Sequence, residues 1–245
     1  MVVTGASRGI GAAIAWHAAT LANYAVCINY RTASSEAAAL VSRISEAGGE
    51  AISIAADVSD SKEAAKLFVE VDAKLGRPDV LVNNAGIIGG LCPIEDVDAS
   101  LLRSVFETNV YSAFFCAREF VRRASRKHGG TGGSIVNVSS VAARLGGMLH
   151  ETFYASSKGA IDSFTIALAK EVGALGIRVN AVRPGVISTE IHEAHGGQEL
   201  LRTIAPTIPL GRVGTSEDVA EAVVWLSSEH SSYIHGALLD ISGGR

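Results

Sequence analysis

An α/β protein is what this sequence predicts: a doubly wound parallel sheet of about seven strands with helices on both faces. Three observations carry that reading. Short β-branched runs alternate with longer helical stretches along the whole chain, the pattern that right-handed β-α-β crossovers require. Most of the short runs are continuously apolar, as strands covered on both faces must be. Finally, 26 glycines and only 6% aromatic residues, against 48% hydrophobic, describe a core of small aliphatic side chains packed closely between helices and strands.

In chain order, Val2–Val3, Ala25–Ile28, Ala51–Ile54, Val80–Val82, Ile135–Val138, Arg178–Val182 and Ala237–Ile241 read as strands. Helical patterning falls between them at Gly11–Ala22, Ser34–Ala47, Ser61–Leu75, Ser100–Lys127, Thr152–Val172 and Ser216–Ser228. Ser61 and Ser216 are read as N-caps, with Glu63 and Glu217–Asp218 in first turns where the helix dipole favours carboxylates. Gly185–Arg212, rich in Gly, Pro, His and Thr, departs from the alternation and is long for a structureless connection. It reads as a lid over a site, at about 186–212, with a short helix around Gln198–Ile204. With 245 residues, no internal repeat and no low-complexity linker, the chain reads as one catalytic domain, 1–245.

Composition excludes several classes of function. A net charge of −4 gives no global basic field for nucleic acid or anionic lipid. The local run Arg122-Arg123-Ala124-Ser125-Arg126-Lys127 reads as a solvated helix end, its cations near the negative pole of the dipole. Cys27, Cys92 and Cys116 match neither a zinc spacing nor a disulfide framework, which points to a reducing compartment. No apolar run reaches transmembrane length and no signal pattern opens the chain, so a cytoplasmic location is expected. Only Met1-Val2-Val3 precedes the first glycine motif, as if a longer strand were trimmed at its start. No metal is expected: His192–His195 is an i,i+3 pair without a matching acid cluster.

Thr4-Gly5-Ala6-Ser7-Arg8-Gly9-Ile10-Gly11 stands between the first strand and the first helix. Gly5 permits a tight turn, Gly9 lets backbone approach a pyrophosphate, and Gly11 allows close helix–strand packing. The free N–H groups of the helix start, with Ser7 and Ile10 in the loop, face the negative charge. The strand–turn–helix setting turns a weak glycine triplet into a Rossmann-type dinucleotide site. At the end of the second strand, Cys27-Ile28-Asn29-Tyr30-Arg31 carries no carboxylate for a ribose 2′-hydroxyl. Arg31 and Arg8, beside Tyr30, can instead hold a 2′-phosphate by charge-assisted hydrogen bonds. NADP(H) is therefore expected over NAD(H).

Taken together, these residues resemble the classical short-chain dehydrogenase/reductases over essentially the whole chain. The glycine motif has that family's Thr-Gly-x-x-x-Gly-x-Gly spacing, and Asn83-Asn84-Ala85-Gly86 is similar to its strand-ending motif beside the cofactor. Tyr154-Ala155-Ser156-Ser157-Lys158 supplies its Tyr-x-x-x-Lys signature. The resemblance implies adenine contacts from Asp57 and Val58 and cofactor contacts from Asn84, Ala85 and Gly86. It places the nicotinamide carboxamide against Pro184, Gly185, Ile187 and Thr189. It also makes Asn109, Ser140, Tyr154 and Lys158 the catalytic set, with Asn109 holding a water that links Lys158 to solvent. Ser139 is the rival to Ser140.

Tyr154 and Lys158 are four residues apart on a predicted helix, so their side chains share one face. A phenol with a pKa of about 10 is a poor base at neutral pH, and an ammonium beside it favours the phenolate. Tyr154 is then expected to act as general acid in carbonyl reduction and general base in alcohol oxidation. Lys158 is also expected to hydrogen-bond the nicotinamide ribose, and Ser140 to donate to the substrate oxygen.

Substrate-facing segments, by the resemblance, are Gly89–Pro93, Leu145–Phe153 and Val186–Arg202. Their His150, Glu151, Phe153, His192 and His195 stand beside apolar Leu91, Met148 and Ile191, a mixture that argues against a purely apolar steroid pocket without identifying the small-molecule carbonyl or alcohol that the resemblance implies. Similarity is greatest to 3-oxoacyl-acyl-carrier-protein reductases and bacterial sugar dehydrogenases. Leu175-Gly176 stand where carrier-protein reductases often place a basic residue, which weighs against the former. The alternative of a different class is a non-catalytic NADP-binding redox sensor or scaffold; its mark, loss of Tyr154, Lys158 or Ser140, is absent. The resemblance implies a homotetramer with dihedral symmetry, burying Ser100–Lys127 and Thr152–Val172 between subunits.

Overall fold

The computed structural model describes residues 1–189 and 197–245. Seven strands, β1 (Val2–Val3), β2 (Val26–Tyr30), β3 (Ala51–Ala55), β4 (Val80–Asn83), β5 (Gly133–Val138), β6 (Ile177–Pro184) and β7 (Leu238–Ile241), form one sheet in the order β3-β2-β1-β4-β5-β6-β7. Every pairing in it is parallel. The expected Rossmann-type sheet is therefore present. Chain order reverses between β1 and β4, which leaves a crevice beyond their carboxyl ends.

Alternate strand residues feed two cores. Val3, Ile28, Val82, Val136 and Val182 pack under α1 (Gly9–Leu21), α2 (Ser34–Glu46) and α9 (Ser216–Ser227). Their neighbours Val2, Cys27, Leu81, Ile135 and Val179 face α3 (Ser61–Leu75), α5 (Ser112–Ala124) and α7 (Thr152–Val172). A strand buried on both faces needs apolar side chains at every position, hence the unbroken runs in the sequence. Burial pushes the thiols of Cys27 and Cys116 up to about 12, so both behave as small apolar groups. Among the described residues no helix is long and apolar enough to cross a membrane.

Three details differ from expectation. The N-caps lie one residue earlier: the Asp60 carboxylate accepts from the N–H groups of Lys62 (2.7 Å) and Glu63 (2.9 Å), while Thr215 and Asp218 cap α9 reciprocally. Side-chain oxygens at 60 and 215 thus do what was assigned to Ser61 and Ser216. The single helix expected over Ser100–Lys127 is divided into α4 (Ala99–Phe106), a π-turn at Glu107–Tyr111, α5, and a final 3-10 turn at Arg126–His128. Apolar periodicity cannot register one extra residue within a turn. A short helix, α6 (Ala142–Leu145), also follows β5 where none was expected. The expected short helix near Gln198 is present as α8 (Gly197–Ile204).

Candidate active site

The glycine loop is locked to its neighbours by backbone and small polar groups. Gly5 and Gly9 have left-handed backbone, φ +59° and +55°. A methyl on Gly5 would lie 2.9 Å from the Ala85 Cα, and one on Gly11 would lie 2.5 Å from the Asn84 Nδ2, so neither position admits a side chain. The Thr4 hydroxyl accepts from the N–H groups of Asn84 and Ala85, both at 3.0 Å, and the Asn84 amide donates back to the carbonyls of Thr4 (2.9 Å) and Gly5 (3.0 Å). Buried Asn29 joins the ends of three strands, accepting from Gly5 N–H (3.3 Å) and donating to the carbonyl of Ala56 (3.0 Å). Sequence reasoning missed Thr4 and Asn29 as positioning residues; a polar residue inside an otherwise apolar strand end was the available signal.

Above this loop opens a cleft of about 580 Å³. Ser7, Arg8, Gly9, Ile10, Tyr30 and Arg31 line one end. Asn84, Ala85 and Gly86 form its floor after β4, and Pro184, Gly185, Ile187 and Thr189 face them after β6. Space for a methyl on Gly9 lies 3.7 Å from the Thr189 Cγ2, so the loop leaves a cradle that a Cβ would fill. The start of α1 borders that cradle, and Arg8 at its N-cap position is extended and makes no side-chain capping bond to the helix. These features fit the pyrophosphate of a dinucleotide. Asp57 and Val58 do not line the cleft: Val58 is buried in the core under α3, and the Asp57 carboxylate accepts from Ser59 N–H (3.0 Å) and Oγ (2.6 Å). Asp57 instead approaches Arg31, with 3.8 Å between charged atoms.

At the other end the structure brings Ser140, Tyr154 and Lys158 together in one wall. The Ser140 hydroxyl accepts from Ala142 N–H at 3.1 Å and lies near enough to the Tyr154 phenol to favour its ionised form. Ser139 points elsewhere, its Oγ donating to the carbonyl of Lys158 at 3.1 Å. The Lys158 ammonium donates to the carbonyl of Val138 (2.8 Å) and lies 5.9 Å from the centre of the Tyr154 ring. A buried ladder, Asn83 to Asn137 (2.8 Å) to Thr165 (2.9 Å), fixes α7 over the sheet. Asn109 does not line the cleft. From the π-turn its amide accepts from Ile87 N–H (2.8 Å) and donates to the Ile87 carbonyl and to Ser157 Oγ, both 2.9 Å, clamping the loop after β4 against α7.

The electrostatics differ from the expectation that Lys158 lowers the phenol. Burial pushes Tyr154 up to about 12; the Ser140 hydroxyl opposes this and the Glu151 carboxylate reinforces it. Burial also pushes Lys158 down to about 8, against the pull of Asp162. Withdrawal from water outweighs the pair's attraction because the ammonium is turned to the Val138 carbonyl rather than to the phenol.

Glu151, Met148 and Arg245 also line the cleft. His192, His195 and Ile191 lie outside the described residues, as does part of the span expected to form a lid. In the described part of that span, Val186, Leu201 and Ile208 form a small separate core. In the basic run at the end of α5, Arg122, Arg126 and Lys127 are exposed, as a solvated helix end requires, with Arg122 pairing with Glu119 (3.0 Å), while Arg123 is largely buried against Asp72 (2.7 Å) and Glu119 (3.1 Å). Among the described residues no group of three or more His, Cys, Asp or Glu is placed to hold a metal ion.

Comparison with known proteins agrees with this architecture. Residues 5–245 match a family model described as enoyl-(acyl carrier protein) reductase. An uncharacterized oxidoreductase of Escherichia coli K12, YgfF, is 44% identical over 244 residues, covering 100% of this chain and 98% of that protein. An L-rhamnose 1-dehydrogenase (NAD(P)(+)) of a Sphingomonas species is 36% identical over 100% of this chain and 94% of its own. Among solved structures, a 7α-hydroxysteroid dehydrogenase complexed with NADH and 7-oxo glycochenodeoxycholic acid superposes with a TM-score of 0.92 at 33% identity, covering 99% of this chain and 92% of the other. The chain accordingly belongs to the short-chain dehydrogenase/reductase family, oxidoreductases that interconvert carbonyl and alcohol groups with a nicotinamide cofactor.

Proposed function

We propose that this protein is an NADP(H)-dependent carbonyl/alcohol oxidoreductase with Tyr154 as its general acid and base. One observation carries the reading: Tyr154, Ser140 and Lys158 share the wall of the cleft that begins at the glycine loop. The glycine loop, Asn84–Gly86 and the Pro184–Thr189 loop would hold the dinucleotide, which supplies or takes up a hydride when bound. Ser140 holds the substrate oxygen beside the Tyr154 hydroxyl and stabilises charge developing there. Tyr154 gives that oxygen its proton in reduction and removes it in oxidation. Lys158, anchored by its bond to the Val138 carbonyl, would hydrogen-bond the nicotinamide ribose and so tie the cofactor to the wall that carries Tyr154. Asn109 acts through position, keeping the loop after β4 and α7 at a fixed separation.

The preference for NADP(H) rests on Arg8 and Arg31. The relatives' names carry NAD(P)(+) and NADH, so the preference must come from this chain's own residues. Arg31 faces Asp57, but its side chain is 61% exposed and the pair is long at 3.8 Å. An exposed pair contributes about 0–1 kcal/mol, less than the ~1.5–3 kcal/mol of a charged hydrogen bond, so a 2′-phosphate draws the guanidinium away. A homotetramer remains the expected assembly. Exposed Tyr111, Phe114 and Ile166 on the α5 and α7 side supply an apolar face for it.

The test is oxidation of NADPH, with NADH in parallel, across oxoacyl thioesters, sugars, diketones and aromatic aldehydes, with Tyr154→Phe as the blank. Turnover lost in the variant, while NADPH still quenches protein fluorescence, supports the proposal. Turnover that survives Tyr154→Phe overturns it.

A further inference from the structure

Resting on that reading, we infer that Asp162 is a positioning residue for the reaction: its buried carboxylate, one helical turn beyond Lys158 on α7, holds Lys158 in the ammonium form that Tyr154 needs beside it. Tyr154, Lys158 and Asp162 stand at i, i+4 and i+8 of one helix, so they follow one another along one face. Lys158 is 5% exposed and Asp162 8%. The buried residues beside them on α7, Ile161, Thr165 and Val172, carry no charge.

Arg183, on β6, donates to Asp162 Oδ2 twice, from Nε at 3.0 Å and Nη2 at 2.7 Å. Asp162 Oδ1 is buried and has no hydrogen-bond partner among the described residues. The carboxylate is thus gripped through one oxygen while the other is left uncompensated. Seating α7 on β6 does not account for it, because the desolvation of a buried ion pair commonly exceeds its attraction and an apolar pair would serve as well. Beyond Arg183 the charges alternate outwards, to Asp240 on β7 (3.5 Å) and then to Arg144 on α6 (3.1 Å). Side-chain exposure rises along that chain from 11% at Asp162 to 46% at Arg144. Water therefore screens the outer members and leaves Asp162 to act inside.

Among the described residues, Glu151 and Tyr154 precede Lys158 in the chain, and Asp162, Arg183, Asp240 and Arg144 form the series just given. The other groups close to its ammonium, Val138 on β5, Gly86 after β4 and Asn109 beside Gly86, are uncharged. Arg103 and Glu107, on α4 and the π-turn, border a separate surface groove. Burial brings Lys158 down to about 8, and Asp162 is the charge that draws it back up. Below that value an ammonium stands 5.9 Å from the centre of the Tyr154 ring, opposing the negative charge the phenol takes on as it releases its proton. Above it the opposing charge is lost, so activity should fall as pH rises through about 8.

The dependence of kcat/KM on pH tests this, measured with NADPH and whichever carbonyl of the panel above the native enzyme reduces fastest. Asp162→Asn should move the alkaline fall to lower pH by about one unit. Arg183→Lys weakens the same ion pair but spares the carboxylate, and should leave the fall in place. Both should lower Tm, so a fall that moves in neither variant, or alike in both, overturns the assignment. Asp162→Asn combined with Arg183→Leu leaves no guanidinium facing an amide and should move the fall in the same direction, which covers a single variant that fails to fold. A second measurement needs no turnover: Lys158→Met should raise Tm at pH 7 more in the Asp162→Asn background than in the native one, and equal gains overturn the coupling. Turnover that survives Tyr154→Phe in the same assay overturns the underlying function instead.

Discussion

At the glycine-loop end of the cleft the backbone does the shaping, whereas at the Tyr154 end side chains do. Gly5, Gly9 and Gly11 are forced by contacts that leave no room for a Cβ or by left-handed backbone, and Thr4 and Asn84 bind main-chain groups. Ser140, Tyr154 and Lys158 instead line it with side chains carried by two segments, the β5–α6 turn and α7. A site made of backbone recognises what every member of a cofactor class shares. One made of side chains can be re-specified residue by residue without disturbing the fold.

Substitutions at the two ends should therefore fail differently. Tyr154→Phe is expected to lower kcat/KM by about 10²–10⁴-fold with NADPH affinity unchanged, read by steady-state rates beside fluorescence titration. Arg31→Asp should move the ratio of NADPH to NADH efficiency about tenfold to a hundredfold towards NADH; an unmoved ratio would remove Arg31 from the 2′-phosphate site. Gly9→Ala, whose methyl enters the cradle without touching backbone, should weaken NADPH binding about tenfold, the equivalent of ~1.4 kcal/mol.

Two smaller effects concern stability. Lys158 is held down to about 8 by burial, below its ordinary 10.5. The unfolded chain thus takes up this proton more readily than the folded one. The penalty is complete below pH 8, shrinks as pH rises between the two values, and vanishes above them. Lys158→Met should raise Tm at pH 7 by about 2–4 °C per kcal/mol relieved, and the gain should fade towards pH 10.5. His150 adopts left-handed backbone, φ 69°, so His150→Asn, which suits that conformation better, should raise Tm by about 1–2 °C.

The same contrast explains what was legible in the sequence. Unbroken apolar strands and the glycine spacing gave away the sheet and the glycine loop, because backbone constraints act through residue type at fixed intervals. Tyr154 and Lys158 were legible because i,i+4 spacing determines a shared helix face. The choice of Ser140 over Ser139 depended on which hydroxyl turns towards α7 backbone, as Ser139 does. That Asp57 and Val58 stand back from the cleft lining was not legible, because the Asp57 carboxylate is engaged by Ser59 and Val58 packs into the core. The raised phenol of Tyr154 was hidden for a related reason: burial and ammonium direction are properties of three-dimensional packing, not of spacing.

The π-turn at Glu107–Tyr111 has a consequence for how this protein can vary. Each helical residue advances the screw by about 100°, so one surplus residue re-indexes everything beyond it. Asn109 reaches Ile87 and Ser157, while on α5 Cys116, Ala117 and Phe120 meet the sheet. Deleting one residue from 107–111 would heal the turn and bring only one of these two faces into phase. Point changes in this stretch are thus open to drift, but its length is not, and insertions or deletions should be tolerated in the surface loops before they are tolerated here.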